Sequence, residues 1–84
     1  MDLARIYWRG HQEFGEQQAD RYYEALTKRF TEIAEDPFMY QAVEHIRKNY
    51  RRSLCGVDSI YYRLNGDTVE IMRILGRQDP VEMI

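Results

Sequence analysis

The sequence predicts an α+β fold in which an N-terminal antiparallel helical hairpin packs on a three-stranded antiparallel β-sheet. Three observations support this class. Apolar residues recur at helical spacing through residues 2–35, the spacing shortens toward two from about residue 46, and Asn65-Gly66 is the dipeptide preferred in two-residue hairpin turns. With 84 residues, the chain is one domain at most, and its core must be small.

The helical hairpin is predicted from two amphipathic stretches. The first helix carries its apolar residues on one face, with Trp8 pointing away from them: Leu3, Ile6, Tyr7 and Phe14. Gly15 is typical of a helix end followed by a new start. The second helix has a longer apolar stripe: Ala19, Tyr22, Tyr23, Leu26, Phe30, Ile33 and Ala34. It is expected to end before Pro37, because proline disfavours a helical residue in front of it.

A β-meander is predicted after a loop over residues 36–45. Its strands lie near residues 46–54, 58–64 and 68–75, and a tail over 76–84 follows. A two-residue turn at Asn65-Gly66 would place Tyr62 opposite Val69 on the face toward the helices.

The register of the first hairpin depends on its loop. A three-residue loop over residues 55–57 places Ile46, Tyr50 and Leu54 on the core face, and this register is preferred. A two-residue loop at Cys55-Gly56 would turn Arg51 inward, opposite Ile60, and a buried charge is unfavourable unless it is paired.

Composition excludes several classes of protein. No apolar run approaches the roughly 20 residues that a membrane span requires. Asp2, Arg5 and Arg9 interrupt the N-terminal stretch that a signal peptide would need, so a cytoplasmic protein is expected. The single Cys55 can form neither an internal disulfide nor a thiolate metal site, and no paired histidine spacing or glycine-rich phosphate loop is present. We therefore expect no catalytic residues, no metal and no cofactor.

Charge is distributed unevenly along the chain. Residues 1–44 contain five Lys or Arg against nine Asp or Glu, whereas residues 45–84 contain seven against five. The net charge of −2 does not indicate a protein that binds duplex DNA. The second half nevertheless contains a basic, tyrosine-rich sheet: Arg47, Lys48, Tyr50, Arg51, Arg52, Tyr61, Tyr62, Arg63 and Arg73. Its tyrosines could fill the core beneath solvated arginines, or the face could bind an acidic segment or a nucleic-acid backbone.

Short motifs occur in a recognisable order along the chain. They are Asp2-Leu3-Ala4-Arg5-Ile6-Tyr7, Phe14-Gly15, Ala19-Asp20-Arg21-Tyr22, Phe30-Thr31-Glu32-Ile33-Ala34-Glu35-Asp36-Pro37, Ile46-Arg47, Tyr50-Arg51-Arg52, Ile60-Tyr61-Tyr62-Arg63 and Val69-Glu70-Ile71-Met72-Arg73-Ile74-Leu75. In this order and spacing they resemble the ParE branch of the RelE/ParE toxin superfamily over nearly the whole chain. The resemblance implies the toxin of a bacterial type II toxin-antitoxin pair, folded as a single domain.

The branch of the superfamily determines the implied activity. ParE-like toxins are associated with inhibition of DNA gyrase, whereas RelE-like toxins are ribosome-dependent messenger-RNA endonucleases that usually use a C-terminal tyrosine or histidine. The residues after Leu75 contain neither, and Gly76 stands where many ParE-like chains carry histidine. The resemblance therefore favours a gyrase poison without catalytic activity of its own. A RelE-type nuclease using Arg51, Arg52 and Arg73 as phosphate contacts, or an inactive relative, remains the alternative.

The resemblance also implies a partner, a cognate ParD-like antitoxin with an acidic, amphipathic segment. Our candidate antitoxin-binding residues are basic or aromatic: Trp8, Arg47, Arg51, Tyr61, Arg63 and Arg73. DNA gyrase is the implied target, and we expect neither membrane binding nor direct sequence-specific DNA binding by the toxin alone. Family members carry a β-strand before the helix that begins with the Asp-Leu pair. In the given sequence the sheet is thus expected to lack that strand and to expose an edge, the strand either lying upstream of an internally chosen start or being replaced by a strand from a partner.

Overall fold

The structure, a computed structural model, describes residues 2–77, 79, 80, 82 and 84. Residues 1, 78, 81 and 83 lie outside the described residues, and the last three of them belong to the predicted tail. Two helices precede four strands: α1 (Asp2–Phe14), α2 (Glu16–Glu35), β1 (Gln41–Ala42), β2 (Tyr50–Cys55), β3 (Asp58–Asn65) and β4 (Thr68–Gly76). The strands form one antiparallel sheet in the order β1-β2-β3-β4. The predicted α+β class is confirmed, but the described sheet has four strands instead of three because the short β1 pairs with β2.

The helical hairpin is tight because one residue joins its helices. Gly15 adopts a φ of 89°, a left-handed conformation that glycine reaches without strain. A Cβ added at Gly10 would lie only 3.7 Å from Ala19, so the helices approach closely near this turn. α2 ends before Pro37, and the N–H of Asp36 donates to the carbonyl of Glu32.

Two apolar clusters cover the two faces of the sheet. The larger cluster lies between the helices and one face: Ile6, Leu26, Ile33, Cys55, Ile60, Tyr62 and Ile74. The second cluster covers the opposite face, with Ile46, Met72 and Ile84 packed against it: Val43, Tyr50, Tyr61 and Leu75. Neighbouring strand residues point to opposite faces, which explains how Tyr61 and Tyr62 are both buried in different clusters.

The predicted register of the β3-β4 hairpin is wrong by two residues. The turn is Gly66-Asp67, not Asn65-Gly66, so that Tyr62 pairs with Ile71 and not with Val69. Gly66 has a φ of 62° at the first central position, the arrangement of a type II′ turn. A β-bulge then follows. The next pairs are Tyr61 with Arg73 and Ile60 with Ile74, so Met72 has no opposing residue. This extra residue returns Ile74 to the face of the helices.

The predicted three-residue loop of the first hairpin is also wrong. The loop contains only Gly56 and Val57, and Cys55 pairs with Asp58. A shift of one residue reverses the faces of β2, so Leu54 is 64% exposed instead of lying in the core. The strand begins at Tyr50, later than the predicted residue 46.

The reversed register turns Arg51 toward the side of the helices, and burial of this charge is predicted to be unfavourable. The unfavourable burial is avoided because Arg51 lies near the edge of the sheet. Its guanidinium donates to the carbonyl of Tyr40 at 2.7 Å and lies 5.0 Å from the centre of the Phe38 ring. A hydrogen bond and a cation-π contact therefore replace water around this charge.

Candidate functional site

An apolar groove of about 420 Å³ lies along the helical hairpin. Helix α1 and helix α2 supply most of its lining, and Val57 from the β2-β3 turn closes it. The apolar lining residues include Leu3, Ile6, Phe14, Tyr23, Ala25 and Leu26. The charged side chains that line it are both arginines, Arg9 and Arg21. Such a groove can bind the apolar face of an amphipathic segment whose carboxylates meet the arginines.

Aromatic side chains surround this groove, and several are exposed. Phe14 is 65% exposed and Trp8 is 59% exposed. Tyr7 packs edge-on against both Trp8 and Tyr23, with ring centres 5.6 and 5.9 Å apart. Its hydroxyl donates to Asp20 at 2.8 Å, and this hydrogen bond raises the pKa of Tyr7. The predicted anchor Trp8 thus contacts Tyr7, a lining residue of the groove, and exposed aromatic side chains of this kind often contribute most to binding.

Tyr22 joins the groove to the sheet. Its hydroxyl oxygen lies 2.7 Å from Asp58 Oδ2 and 2.8 Å from the carbonyl of Cys55, and it accepts a hydrogen bond from the N–H of Val57 at 3.3 Å. Burial, together with the bond to Asp58, raises the pKa of Tyr22, so the phenol remains a donor at neutral pH. These contacts hold Val57 at the end of the groove.

Asp58 is buried beneath this network with 1% exposure. Besides Tyr22, the carboxylate meets Arg9, whose Nη2 lies 3.5 Å from Oδ2. The other carboxylate oxygen, Oδ1, has no hydrogen-bond partner among the described residues. Arg9 consequently serves both as a lining residue of the groove and as the counter-charge of Asp58.

The predicted arginines lie on three strands, β2, β3 and β4, and in the segment just before β2. Arg63 forms an ion pair with Glu70 at 2.7 Å, and Arg73 forms two hydrogen bonds with Asp2 at 2.7 and 3.1 Å. Tyr61 is 4% exposed, so it supports the sheet from within the second cluster.

Two arginines lie near the β1 edge of the sheet on the face of the second cluster. Arg47 is exposed and lies 5.9 Å from the centre of the Tyr50 ring. Arg52 alternates with Arg51 along β2 and therefore points to the same face as Tyr50. In the part of the chain that the structure describes, Arg52 has no acidic partner. These two cations can meet carboxylates of a bound segment.

The residues proposed as phosphate contacts do not share one face or one strand of the sheet. Arg51 and Arg52 point to opposite faces of β2. Arg73 lies on β4, which β3 separates from β2, so about 10 Å lie between these strands.

The sequence pattern places Leu3, Phe14 and Tyr23 on the apolar faces of the helices but does not predict the groove that they line. Burial raises the pKa of the Cys55 thiol, which favours its unreactive form. Residues 2–77 and the described residues after them contain no group of three or more potential metal ligands. Within the same residues, no helix is long and apolar enough to cross a membrane.

Comparison with known proteins identifies the family. A family model described as the ParE toxin of the type II toxin-antitoxin system, parDE, matches residues 1–80. Toxin ParE1 of Caulobacter vibrioides is 39% identical over 74 residues, which cover 88% of this chain and 76% of that protein. Toxin ParE1 of Mycobacterium tuberculosis is 27% identical over 81 residues, which cover 95% of this chain and 83% of that protein. The chain therefore belongs to the ParE toxin family of type II toxin-antitoxin systems.

Proposed function

We propose that this chain inhibits growth by poisoning DNA gyrase and is neutralised by a ParD-like antitoxin that binds the groove of the helical hairpin. The observation that carries the antitoxin site is the groove itself, whose lining is mainly apolar and includes Arg9 and Arg21 as its charged side chains. Family membership supports the toxin role and the antitoxin partner. An antitoxin segment with an apolar face and flanking carboxylates matches both properties of the groove.

The antitoxin contacts are ranked by the partners that each side chain already has within the chain. Trp8 lies beside the groove and is our first candidate for an aromatic anchor. Arg47 and Arg52, near the β1 edge, are the candidates for acidic contacts, because neither has an acidic partner among the described residues and Arg47 makes only a long hydrogen bond, 3.5 Å, to the carbonyl of Ile84. Arg51, Arg63 and Arg73 already bind groups of this chain, so a partner would have to share or replace those contacts. Their contribution to affinity should accordingly be smaller.

The structure also bears on the choice between gyrase poisoning and RNA cleavage. Cleavage of the RelE type would need cationic groups gathered around one phosphate. Arg51, Arg52 and Arg73 are instead distributed over two faces and two strands, with Arg73 bound to Asp2. This separation supports the gyrase proposal over the nuclease alternative.

Controlled expression tests the proposed activity. We expect expression of the chain without antitoxin to stop growth and to induce a DNA-damage reporter while transcripts stay intact. Rapid loss of translated transcripts without DNA damage would support the nuclease alternative instead. Unaffected growth at an equal protein level would indicate an inactive relative.

A matched pair of alanine substitutions tests the antitoxin site. Ala25 and Ala34 are both exposed on α2, but only Ala25 lines the groove. We expect Ala25→Glu to weaken antitoxin binding more than tenfold, because it places a carboxylate in the apolar groove and opposes an acidic partner. Ala34→Glu should change the affinity less than twofold. Equal affinities of the two variants in calorimetric titrations would remove the groove from the antitoxin interface.

A further inference from the structure

The loop between β1 and β2, residues 43–49, is held in a fixed shape by backbone hydrogen bonds. The N–H of Val43 donates to the carbonyl of Tyr50 at 2.8 Å, and the N–H of Arg47 donates to the carbonyl of Val43 at 3.1 Å. The N–H of Tyr50 donates in turn to the carbonyl of Arg47 at 3.1 Å. Val43 and Tyr50 are buried in the second cluster, so both ends of the loop are anchored while its tip, residues 47–49, is exposed.

An uncommon backbone conformation shapes the tip of this loop. Asn49 has a φ of 67°, and in the part of the chain that the structure describes it is the one residue besides glycine with a positive φ. Its N–H donates to Oε2 of Glu44 at 2.7 Å, so the acidic side chain of the loop is engaged by the backbone. Conformations of this kind cost free energy and occur often at functional sites. The tip thus keeps a defined shape in which Arg47 and Lys48 are exposed.

Positive charge is concentrated around this tip. Four of the six residues from 47 to 52 are cationic: Arg47, Lys48, Arg51 and Arg52. The guanidinium of Arg47 lies 5.9 Å from the centre of the Tyr50 ring, and Arg52 points to the same face of the sheet about 7 Å further along β2. The cross-strand neighbours of Arg52 are Gln41 and Tyr61, and neither is acidic. We call Arg47, Lys48 and Arg52 the basic patch; none of the three forms an ion pair with a described residue.

We propose that the basic patch binds the phosphate backbone of the DNA that gyrase holds, so that the toxin stabilises the cleaved complex partly through the DNA. This inference rests on the proposed function, which places the toxin beside gyrase-bound DNA. Gathered cations repel one another and are balanced best by a polyanion. A DNA strand carries one phosphate about every 3.4 Å along the helix axis, so cations spaced as Arg47 and Arg52 are can each bind a phosphate. Such contacts do not depend on the base sequence.

The charge of the whole chain explains why this contact needs gyrase. The net charge is −2, and residues 1–44 contain nine Asp or Glu against five Lys or Arg, so the free toxin should bind DNA weakly. Once the toxin is bound to gyrase, the phosphate contact is intramolecular within the complex and needs little affinity of its own.

The position of the basic patch favours DNA over the antitoxin as its main ligand. The antitoxin groove lies along the helical hairpin, whereas Arg47 and Arg52 lie on the face of the sheet that points away from the helices. A segment in the groove therefore leaves the basic patch open. An antitoxin whose carboxylates also reach Arg47 and Arg52 would displace the phosphates.

Removal of two charges from the basic patch tests the DNA contact. The double variant Arg47→Gln/Lys48→Gln changes the exposed tip, and Lys28→Gln/Arg77→Gln is the matched control, because its two residues are also exposed and lie outside the basic patch. In a DNA cleavage reaction with purified gyrase, the patch variant should need about tenfold more toxin for half-maximal cleavage, whereas the control should match the parent chain. The slope of this concentration against salt on logarithmic axes should fall by about 1.8, because each lost phosphate contact lowers it by about 0.9.

Titration of gyrase without DNA separates a DNA contact from a protein contact. The patch variant should bind gyrase alone as tightly as the parent chain does. Weaker binding would assign the basic patch to gyrase itself and overturn the proposal. Equal cleavage and equal salt dependence of the two double variants would also overturn it, and a loss confined to antitoxin affinity would assign the basic patch to the antitoxin. The proposed function would stand in each of these cases, whereas absence of cleavage by the parent chain would contradict gyrase poisoning.

Crosslinking provides a second test that does not depend on the folding of the double variant. A photoreactive residue at position 48 should crosslink to labelled DNA in the gyrase complex, and one at position 28 should not. Crosslinks from position 48 to gyrase alone would overturn the DNA contact. Circular dichroism shows whether each altered chain folds.

Discussion

The contact between α2 and the β2-β3 turn depends on one hydroxyl group, and Tyr22→Phe removes it. This hydroxyl lies 2.7 Å from a carboxylate oxygen of Asp58 and also contacts the backbone of Cys55 and Val57. Asp58 is buried, and its Oδ1 already has no partner among the described residues. Without the hydroxyl, the carboxylate would retain only Arg9, at 3.5 Å, as a side-chain partner among the described residues.

The expected effect on stability is large for a chain of this size. Leaving a buried acceptor without its partner destabilises a protein by about 1 to 3 kcal/mol, and by more when the acceptor is charged. We therefore expect Tyr22→Phe to lower the free energy of unfolding by about 3 kcal/mol. Total stability should be about 4 to 13 kcal/mol, from 0.05 to 0.15 kcal/mol per residue over 84 residues. One oxygen atom would thus account for a substantial fraction of it.

Urea unfolding followed by circular dichroism measures this loss. With an m value of about 1 kcal/mol/M, the midpoint should fall by roughly 3 M while m stays constant. Tyr23→Phe is the matched control, because the neighbouring Tyr23 is exposed and its hydroxyl forms no hydrogen bond with the described residues. Its midpoint should stay within about 0.5 M, since surface substitutions usually change stability by less than 0.5 kcal/mol. Equal midpoints for the two variants would refute the role assigned to Tyr22.

Three further predictions follow from single contacts. Gly56→Ala should lower the free energy of unfolding by more than about 2 kcal/mol in urea, because the added Cβ would lie 2.5 Å from the Tyr22 ring at a φ of 59°. The control Gly66→Ala, with a φ of 62° and open space around it, should lower it by only about 1 kcal/mol. A larger loss for Gly66→Ala than for Gly56→Ala would contradict the contact with Tyr22. Arg73 holds the pKa of Asp2 below its usual 3.8, so the stability that Asp2 contributes is present above that value and is lost as the pH falls through the lowered pKa. Asp2→Asn should reduce this loss of stability at acidic pH. The same loss in the variant and the parent chain would contradict a stabilising Asp2–Arg73 pair. Burial raises the pKa of Tyr22, so the stability that the Tyr22 phenol contributes is complete below the usual value of 10.0 and is lost at higher pH. In unfolding experiments at alkaline pH, Tyr22→Phe should therefore lose less stability than the parent chain.

The helices were predictable from the sequence because their apolar spacing and their end signals agree. Gly15 and Pro37 mark the ends of α1 and α2, and the stripe of α2 contains its three buried residues. The presence of the β2-β3 and β3-β4 hairpins was equally predictable. Their registers were not, because each turn contains a glycine that fits more than one loop position, and Gly66 serves as the first central residue and not the second.

The position of Arg51 explains why the high cost of burying a charge led to the wrong predicted register. The rule assumes that an inward-facing residue is surrounded by apolar groups. Arg51 lies at the edge of the sheet, where the carbonyl of Tyr40 and the ring of Phe38 receive its guanidinium. Both groups come from the loop after α2, whose path no local pattern specifies.

The candidate site was only partly predictable for a related reason. Basic and aromatic residues can be identified in a sequence, but their pairing depends on contacts between distant segments. Arg73 binds Asp2 from the other end of the chain, and Tyr61 enters a cluster with Val43 and Leu75. The groove of the hairpin depends on how two helices diverge from the close contact at Gly10, which apolar spacing alone does not reveal.

A reaction with purified DNA gyrase tests the central proposal most directly. The chain is incubated with gyrase, ATP and relaxed closed-circular plasmid, and denaturant and protease are then added to reveal cleaved DNA. We expect linear plasmid to accumulate with increasing toxin and to disappear when an equimolar amount of the cognate antitoxin is added first. Ala25→Glu should still produce linear plasmid, but the same amount of antitoxin should no longer suppress it. Normal supercoiling without linear DNA at saturating toxin would contradict the proposal that this ParE-family chain poisons gyrase.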